Sequence, residues 1–183
     1  DHGFSKNLSE KNFSLIEIAQ ELSILIKKLK IDEFKIVVGH SAGVAVAQEL
    51  FLTKSIKINE IIGINPSLVP PPNPFNLVSI PFISSTITSE LSLSFFSRVI
   101  EKTPIIDLLL DSTGSYLKNE QKQKYKEIFT KKNHIKGALK FMAATDLNCL
   151  LSRANLIKCK TVFIVGKFDK WVKLNKLKTI KKK

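Results

Sequence analysis

The sequence predicts an α/β fold built on a parallel sheet, and three observations predict it. Short β-branched apolar runs recur at 34–38, 59–65 and 161–165, continuous rather than alternating, as strands buried on both faces would be. Segments with helical spacing separate them, which is the order of elements that a parallel sheet needs. Finally, Gly39-x-Ser41-x-Gly43 stands where the first run passes into a helical segment.

The elements follow in chain order. Leu15, Ile18, Ala19, Leu22, Leu25, Ile26 and Leu29 recur at i, i+3, i+4 and i+7, so the spacing predicts an amphipathic helix over 14–29 with these residues on one face. Ser14 followed by Glu17 is a capping box that marks its start, and Lys27, Lys28 and Lys30 suit the negative end of its dipole. Phe34 to Val38 reads as a buried strand, and helical spacing resumes from Val44 to Leu52. After the second run, Pro66, Pro70, Pro71, Pro72 and Pro74 interrupt regular structure. Helical segments are then expected over 89–101, 119–130 and 134–150. The third run leads into Gly166-Lys167-Phe168-Asp169 and a helical segment at 170–178. Residues 1–65 are therefore expected to form the N-terminal part of the core. Residues 66–154 would form a mostly helical cap, and 155–183 a truncated C-terminal part of the core.

Composition narrows the chemistry. The chain has 183 residues, 44 % hydrophobic, with a net charge of +13, so it can bury a core and is not intrinsically disordered. Its cations are almost all lysine: the only arginines are Arg98 and Arg153. Nucleic-acid readers favour Arg forks and interleaved aromatics, neither of which appears, so no nucleic-acid partner is expected. No apolar run reaches the ~20 residues of a membrane span. Residues 167–183 hold eight Lys against the single acid Asp169, a local basic patch that leaves peripheral membrane contact open. Cys149 and Cys159 have no metal-ligand spacing and read as reduced thiols of a cytoplasmic protein, and no metal or cofactor site is legible.

The chemistry-bearing pattern is the strand–turn–helix around Ser41. Such a turn is tight, so its neighbours at −2 and +2 must be small, as Gly39 and Gly43 are. It lifts the serine hydroxyl above the sheet as a candidate nucleophile, with the Ala42 N–H as a candidate oxyanion donor at the helix start. Asp169 follows a strand, where the acid of a Ser, Asp, His chain order would stand. An ordinary helix-capping Asp is the plainer alternative. The base is missing: His2, His40 and His134 all precede Asp169, so this chain by itself assembles no catalytic triad.

From the loop Asp1-His2-Gly3-Phe4-Ser5 to Asp169, these residues resemble the α/β-hydrolase fold. The opening looks like the loop after that fold's fourth strand, and the three runs look like its fifth, sixth and seventh. A narrower resemblance lies in Gly39-His40-Ser41-Ala42-Gly43, Ile64-Asn65 with prolines soon after, Thr113-Gly114-Ser115, Tyr125, His134, Gly137-Ala138-Leu139 and Met142 through Leu147. In order and spacing these resemble the magnesium-chelatase accessory proteins of bacteriochlorophyll biosynthesis, although Phe141 and Thr145 depart from the family pattern. That resemblance implies assistance to magnesium insertion into protoporphyrin, or handling of a porphyrin intermediate, with chelatase subunits as partners. It also implies that His134 and Asp146 are cap residues facing the elbow, unless they only close the cap's own hydrogen bonds. Phe95, Phe96, Phe129, Phe141 and Met142 would either line a pocket for a flat macrocycle or pack a core. The alternative function is that of a general serine esterase or lipase with a helical cap. In either case the flanking strands would lie outside this chain, leaving open sheet edges and poor solubility in isolation.

Overall fold

The computed structural model describes residues 14–70 and 89–180. The expected loop at residues 1–5, His2, Pro71, Pro72, Pro74 and the last three lysines lie outside the described residues. The chain divides into two compact units, one of Ser14–Pro71 with Asp146–Lys183 and one of Asp1–Phe13 with Pro72–Thr145.

The first unit is the α/β unit. It contains α1 (Leu15–Lys28), β1 (Glu33–His40), α2 (Ala42–Leu52), β2 (Lys57–Ile64), α7 (Leu147–Ser152), a 3-10 turn at Ala154–Leu156, β3 (Lys160–Ile164) and α8 (Leu174–Ile180). Among the described residues the sheet has three strands in the order β1-β2-β3, all parallel. In register, Val37 pairs with Ile61 and Ile61 with Thr161, while His40 pairs with Ile64 and Ile64 with Ile164. The carboxyl ends of the three strands therefore lie side by side along one edge of the unit.

The capping box forms as the sequence suggests: Ser14 Oγ accepts the Glu17 N–H at 3.2 Å, and Glu17 Oε2 accepts the Ser14 N–H at 3.1 Å. The core between α1, α2 and the sheet holds Ala19, Ile26, Ala47, Leu50, Ile56, Ile58 and Ile61. A side chain such as Ile61, fully shielded here, is worth roughly 1.5–3 kcal/mol of apolar transfer. The buried stripe of α1 is narrower than expected. It consists of Leu15, Ala19, Ser23 and Ile26, whereas Leu25 is exposed about a third of a turn off that seam and Leu29 is exposed as the C-cap beyond the last helical residue.

The strands also depart from expectation: among the described residues α1 and α2 cover one face of the sheet, and the other is largely exposed. Ile36 is 50 % exposed, Val38 60 % and Ile164 55 %, and these alternate with the inward Val37, Ile61 and Phe163. A continuous apolar run promises two covered faces, but what covers each face is decided by other elements.

The second unit is helical: α3 (Glu90–Lys102), α4 (Ile105–Ser112), α5 (Asn119–Phe129) and α6 (Lys132–Ala144). Leu93, Ile106, Leu110 and Ile135 are buried. Ser97 Oγ donates to the Thr130 carbonyl at 2.9 Å, and Lys122–Asp111 and Lys126–Asp107 pair at 2.7 Å between α5 and α4. Gly114, in the left-handed region at φ 82°, turns the chain out of α4, which gives the Thr113-Gly114-Ser115 motif a structural use as a helix stop. The helix expected over 134–150 is two helices. Thr145 (ψ 106°) and Asp146 (ψ 91°) are extended, and Asp146 Oδ1 accepts the Cys149 N–H at 2.9 Å, starting α7 afresh.

Candidate functional site

The site is built where β1 passes into α2. Ser41 has φ 53° and ψ −121°, a backbone conformation that a side-chain-bearing residue adopts at a cost of about 1–3 kcal/mol. Surrounding bonds hold it there. The Ser41 N–H donates to the Ile64 carbonyl at 2.9 Å, and the Ser41 carbonyl accepts from the N–H groups of Val44 at 3.2 Å and Ser67 at 3.1 Å. Ser41 thus hangs between the ends of β1 and β2, ahead of α2. The Ala42 N–H opens α2 and, as a first-turn amide, has no acceptor within the helix.

The two glycines of the motif differ in what they do. A Cβ on Gly39 would lie 2.7 Å from the Gly43 carbonyl oxygen and 2.8 Å from Val44 Cα, so the closeness of the turn excludes any side chain there. A Cβ on Gly43 would meet nothing within 4 Å among the described residues. Among the described residues the steric demand expected at position 43 is therefore absent, and the close approach of the helix falls on Gly39 alone.

Asp169 lies in the loop after β3. Its Oδ1 accepts from the Trp171 N–H at 2.8 Å and the Val172 N–H at 2.7 Å, and its own N–H donates to the Gly166 carbonyl at 3.1 Å. One carboxylate oxygen is thus occupied in orienting the loop, as in a capping turn. The helix expected over 170–178 starts only at Leu174, so Asp169 caps a loop turn and not a helix, and that turn fixes the direction of the carboxylate. His40 is exposed at the end of β1. Asp146 belongs to the α/β unit and caps α7. His134 belongs to the helical unit, its ring edge-on to Phe129 at 5.2 Å between centroids. Phe95 in that unit is 65 % exposed. Among the described residues no group of three His, Cys, Asp or Glu side chains converges as a metal site.

Two side-chain bridges escaped sequence reasoning. Asn65 Oδ1 accepts the Gly166 N–H at 2.7 Å, joining the end of β2 to the loop of Asp169. Glu49, only 3 % exposed on α2, takes the Arg153 fork: Nη2 to Oε1 at 2.6 Å and Nη1 to Oε2 at 3.2 Å. Arg153 Nε also donates to the Cys149 carbonyl at 3.1 Å, which ties the end of α7 to α2. The bond to Glu49 holds the Arg153 guanidinium proton even more firmly than usual. A signal for this pair was present: a lone acid inside an apolar helix, and an arginine in a chain that otherwise uses lysine.

Solved structures share this architecture. An α/β-hydrolase-fold protein from Burkholderia ambifaria superposes with a TM-score of 0.74 at 14 % identity, over 100 % of this chain and 66 % of that one. The chain has the α/β-hydrolase fold. An esterase from Exiguobacterium antarcticum matches this hydrolase-fold chain with a TM-score of 0.65 at 12 % identity, over 98 % of it and 65 % of the esterase. No protein-family model matches the sequence. Among curated proteins, the magnesium-chelatase 30 kDa subunit of Rhodobacter capsulatus is 28 % identical over 180 residues. That match takes in 93 % of this chain, which spans 59 % of the relative's length. Among the described residues no helix is long and apolar enough to cross a membrane.

Proposed function

We propose that this chain is part of a hydrolase-fold accessory protein of magnesium chelatase, which assists magnesium insertion into protoporphyrin or handles a porphyrin intermediate. The observation that carries this reading is the similarity to the Rhodobacter capsulatus chelatase subunit. It runs over 180 residues and so extends through the helical unit as well as the widely shared elbow. The chemistry is compatible with it. A porphyrin is a flat apolar macrocycle with acidic side chains, and this chain offers exposed aromatics such as Phe95 together with a net charge of +13. In this reading Ser41 and the Ala42 N–H would address an oxygen of the ligand, Asp169 would orient a base supplied from outside the described residues, and His134 and Asp146 would remain the further candidate residues of their own units. The partners would be chelatase subunits or the porphyrin itself. The setting would be cytoplasmic, with the lysines around Asp169 available for peripheral membrane contact.

Disrupting the gene that carries this chain tests the reading. Magnesium-porphyrin formation from added protoporphyrin and magnesium is expected to fall and to return on complementation. Unchanged pigment levels would refute it. The strained backbone of Ser41 favours a second reading, a serine esterase. A fluorophosphonate probe that labels Ser41, and not Ser41→Ala, together with unchanged pigment, would establish that reading in place of the first.

A further inference from the structure

We propose that Asn65 is a positioning residue whose carboxamide sets the loop of Asp169 against the strand end that carries Ser41. The inference rests on the reading of Ser41 and Asp169 as the working groups of the site. Two consecutive residues at the end of β2 hold the two loops. The Ile64 carbonyl accepts the Ser41 N–H at 2.9 Å, and the Asn65 side chain accepts the Gly166 N–H at 2.7 Å. Because a backbone N–H can only donate, the atom facing Gly166 is the carboxamide oxygen. The Asn65 N–H meanwhile donates to the Ile164 carbonyl at 2.8 Å, so main chain and side chain grip β3 and the following loop in succession. Gly166 then passes the constraint to Asp169, whose N–H closes a turn on the Gly166 carbonyl at 3.1 Å.

Residue choice follows from the backbone. Asn65 sits at φ 42°, in the left-handed region that glycine, asparagine and aspartate enter most readily. Glycine would supply the backbone but no acceptor, and aspartate would supply both. Glutamine has an acceptor, but on a longer arm and with a poorer fit to this φ. A hydrogen bond between residues 101 positions apart, made by one of the few side chains that suit the turn, is a specific tether between elbow and acid loop.

The variants Asn65→Gly and Asn65→Asp, made in the full chain, separate the acceptor from the turn. Hydrogen exchange at the Gly166 and Asp169 amides reads the tether. So does the emission of Trp171, the chain's only tryptophan, whose main-chain N–H donates to Asp169 Oδ1 at 2.8 Å. Asn65→Gly is expected to speed Gly166 exchange about tenfold, the loss of one ordinary hydrogen bond, and to shift Trp171 emission. Exchange at Val37 and Ile61 in the sheet should stay unchanged, and Asn65→Asp should restore the wild-type values. Normal Gly166 protection in Asn65→Gly, or an Asn65→Asp variant as loose as Asn65→Gly, would overturn the proposal. Fluorophosphonate labelling of Ser41 in the wild type judges the functional reading separately, since the exchange result stands whether or not Ser41 reacts.

Discussion

Replacing Gly39 and Gly43 one at a time by alanine should shift stability in opposite directions, although the sequence motif treats them alike. On Gly39 the new methyl would stand 2.7 Å from the Gly43 carbonyl oxygen and 2.8 Å from both the Gly43 carbonyl carbon and Val44 Cα. That is roughly 0.7 Å inside the ~3.5 Å at which carbon atoms pack. All three obstacles are backbone, so no rotamer change relieves the clash and either the end of β1 or the start of α2 must move. Overpacking of this kind costs about 1–3 kcal/mol. For a chain of this size each kcal/mol is worth about 2–4 °C, so the Gly39→Ala melting temperature should fall by roughly 2–12 °C. On Gly43 the methyl meets no described atom within 4 Å, and the position is helical. There alanine removes unfolded-state freedom and should stabilise by about 0.5–1 kcal/mol, a rise of roughly 1–4 °C. Thermal melts of the two variants followed by circular dichroism make the comparison. A Gly39→Ala melt at or above wild type, or a Gly43→Ala melt as depressed as that of Gly39→Ala, would refute the steric account of the turn.

Two further outcomes follow from the same unit. Arg153→Ala leaves the Glu49 carboxylate buried without its fork, and because the arginine side chain is itself 32 % exposed the cost should fall near the lower end of the range for broken buried pairs, about 3 kcal/mol. Urea denaturation measures it, and a loss under about 1 kcal/mol would show that water replaces the arginine. The Cys159 thiol packs against the core, and burial pushes its proton affinity up. Because the native value is raised, the stabilisation it carries is full below the ordinary thiol range and is lost as pH climbs through the native value. Iodoacetamide should alkylate Cys159 several-fold more slowly in the native protein at pH 8 than after unfolding in urea, and equal rates would contradict its burial.

Much of the fold could be read from the chain because the interactions responsible are local. The Ser14–Glu17 box spans one helical turn and forms from its own residues. The tight passage through Gly39-His40-Ser41 is dictated by the absence of a side chain at Gly39, which the sequence states directly. The three strands appear within a few residues of where their apolar runs lie. Local competition was harder to see: Asp146 breaks a helically spaced segment because its carboxylate offers the Cys149 N–H an acceptor that a continuing helix would not use. Helix α4, Ile105–Ser112, does carry a helical period, with Ile106 and Leu110 buried at i and i+4, but at eight residues it is too short to stand out along the chain.

By itself, the sequence determined the α/β class, the order of the strands along the chain and the strained serine turn. Each of these depends on residues within a turn or two of one another. Only the tertiary structure decided which strand faces are covered, leaving Ile36, Val38 and Ile164 bare while Ile61 is fully buried. It alone brought together Asn65 with Gly166 and Glu49 with Arg153, partners 101 and 104 residues apart. Side-chain contacts at that separation form only once the strands have paired and the helices have docked. A periodicity along the chain records which residues avoid water, but not which partners they meet.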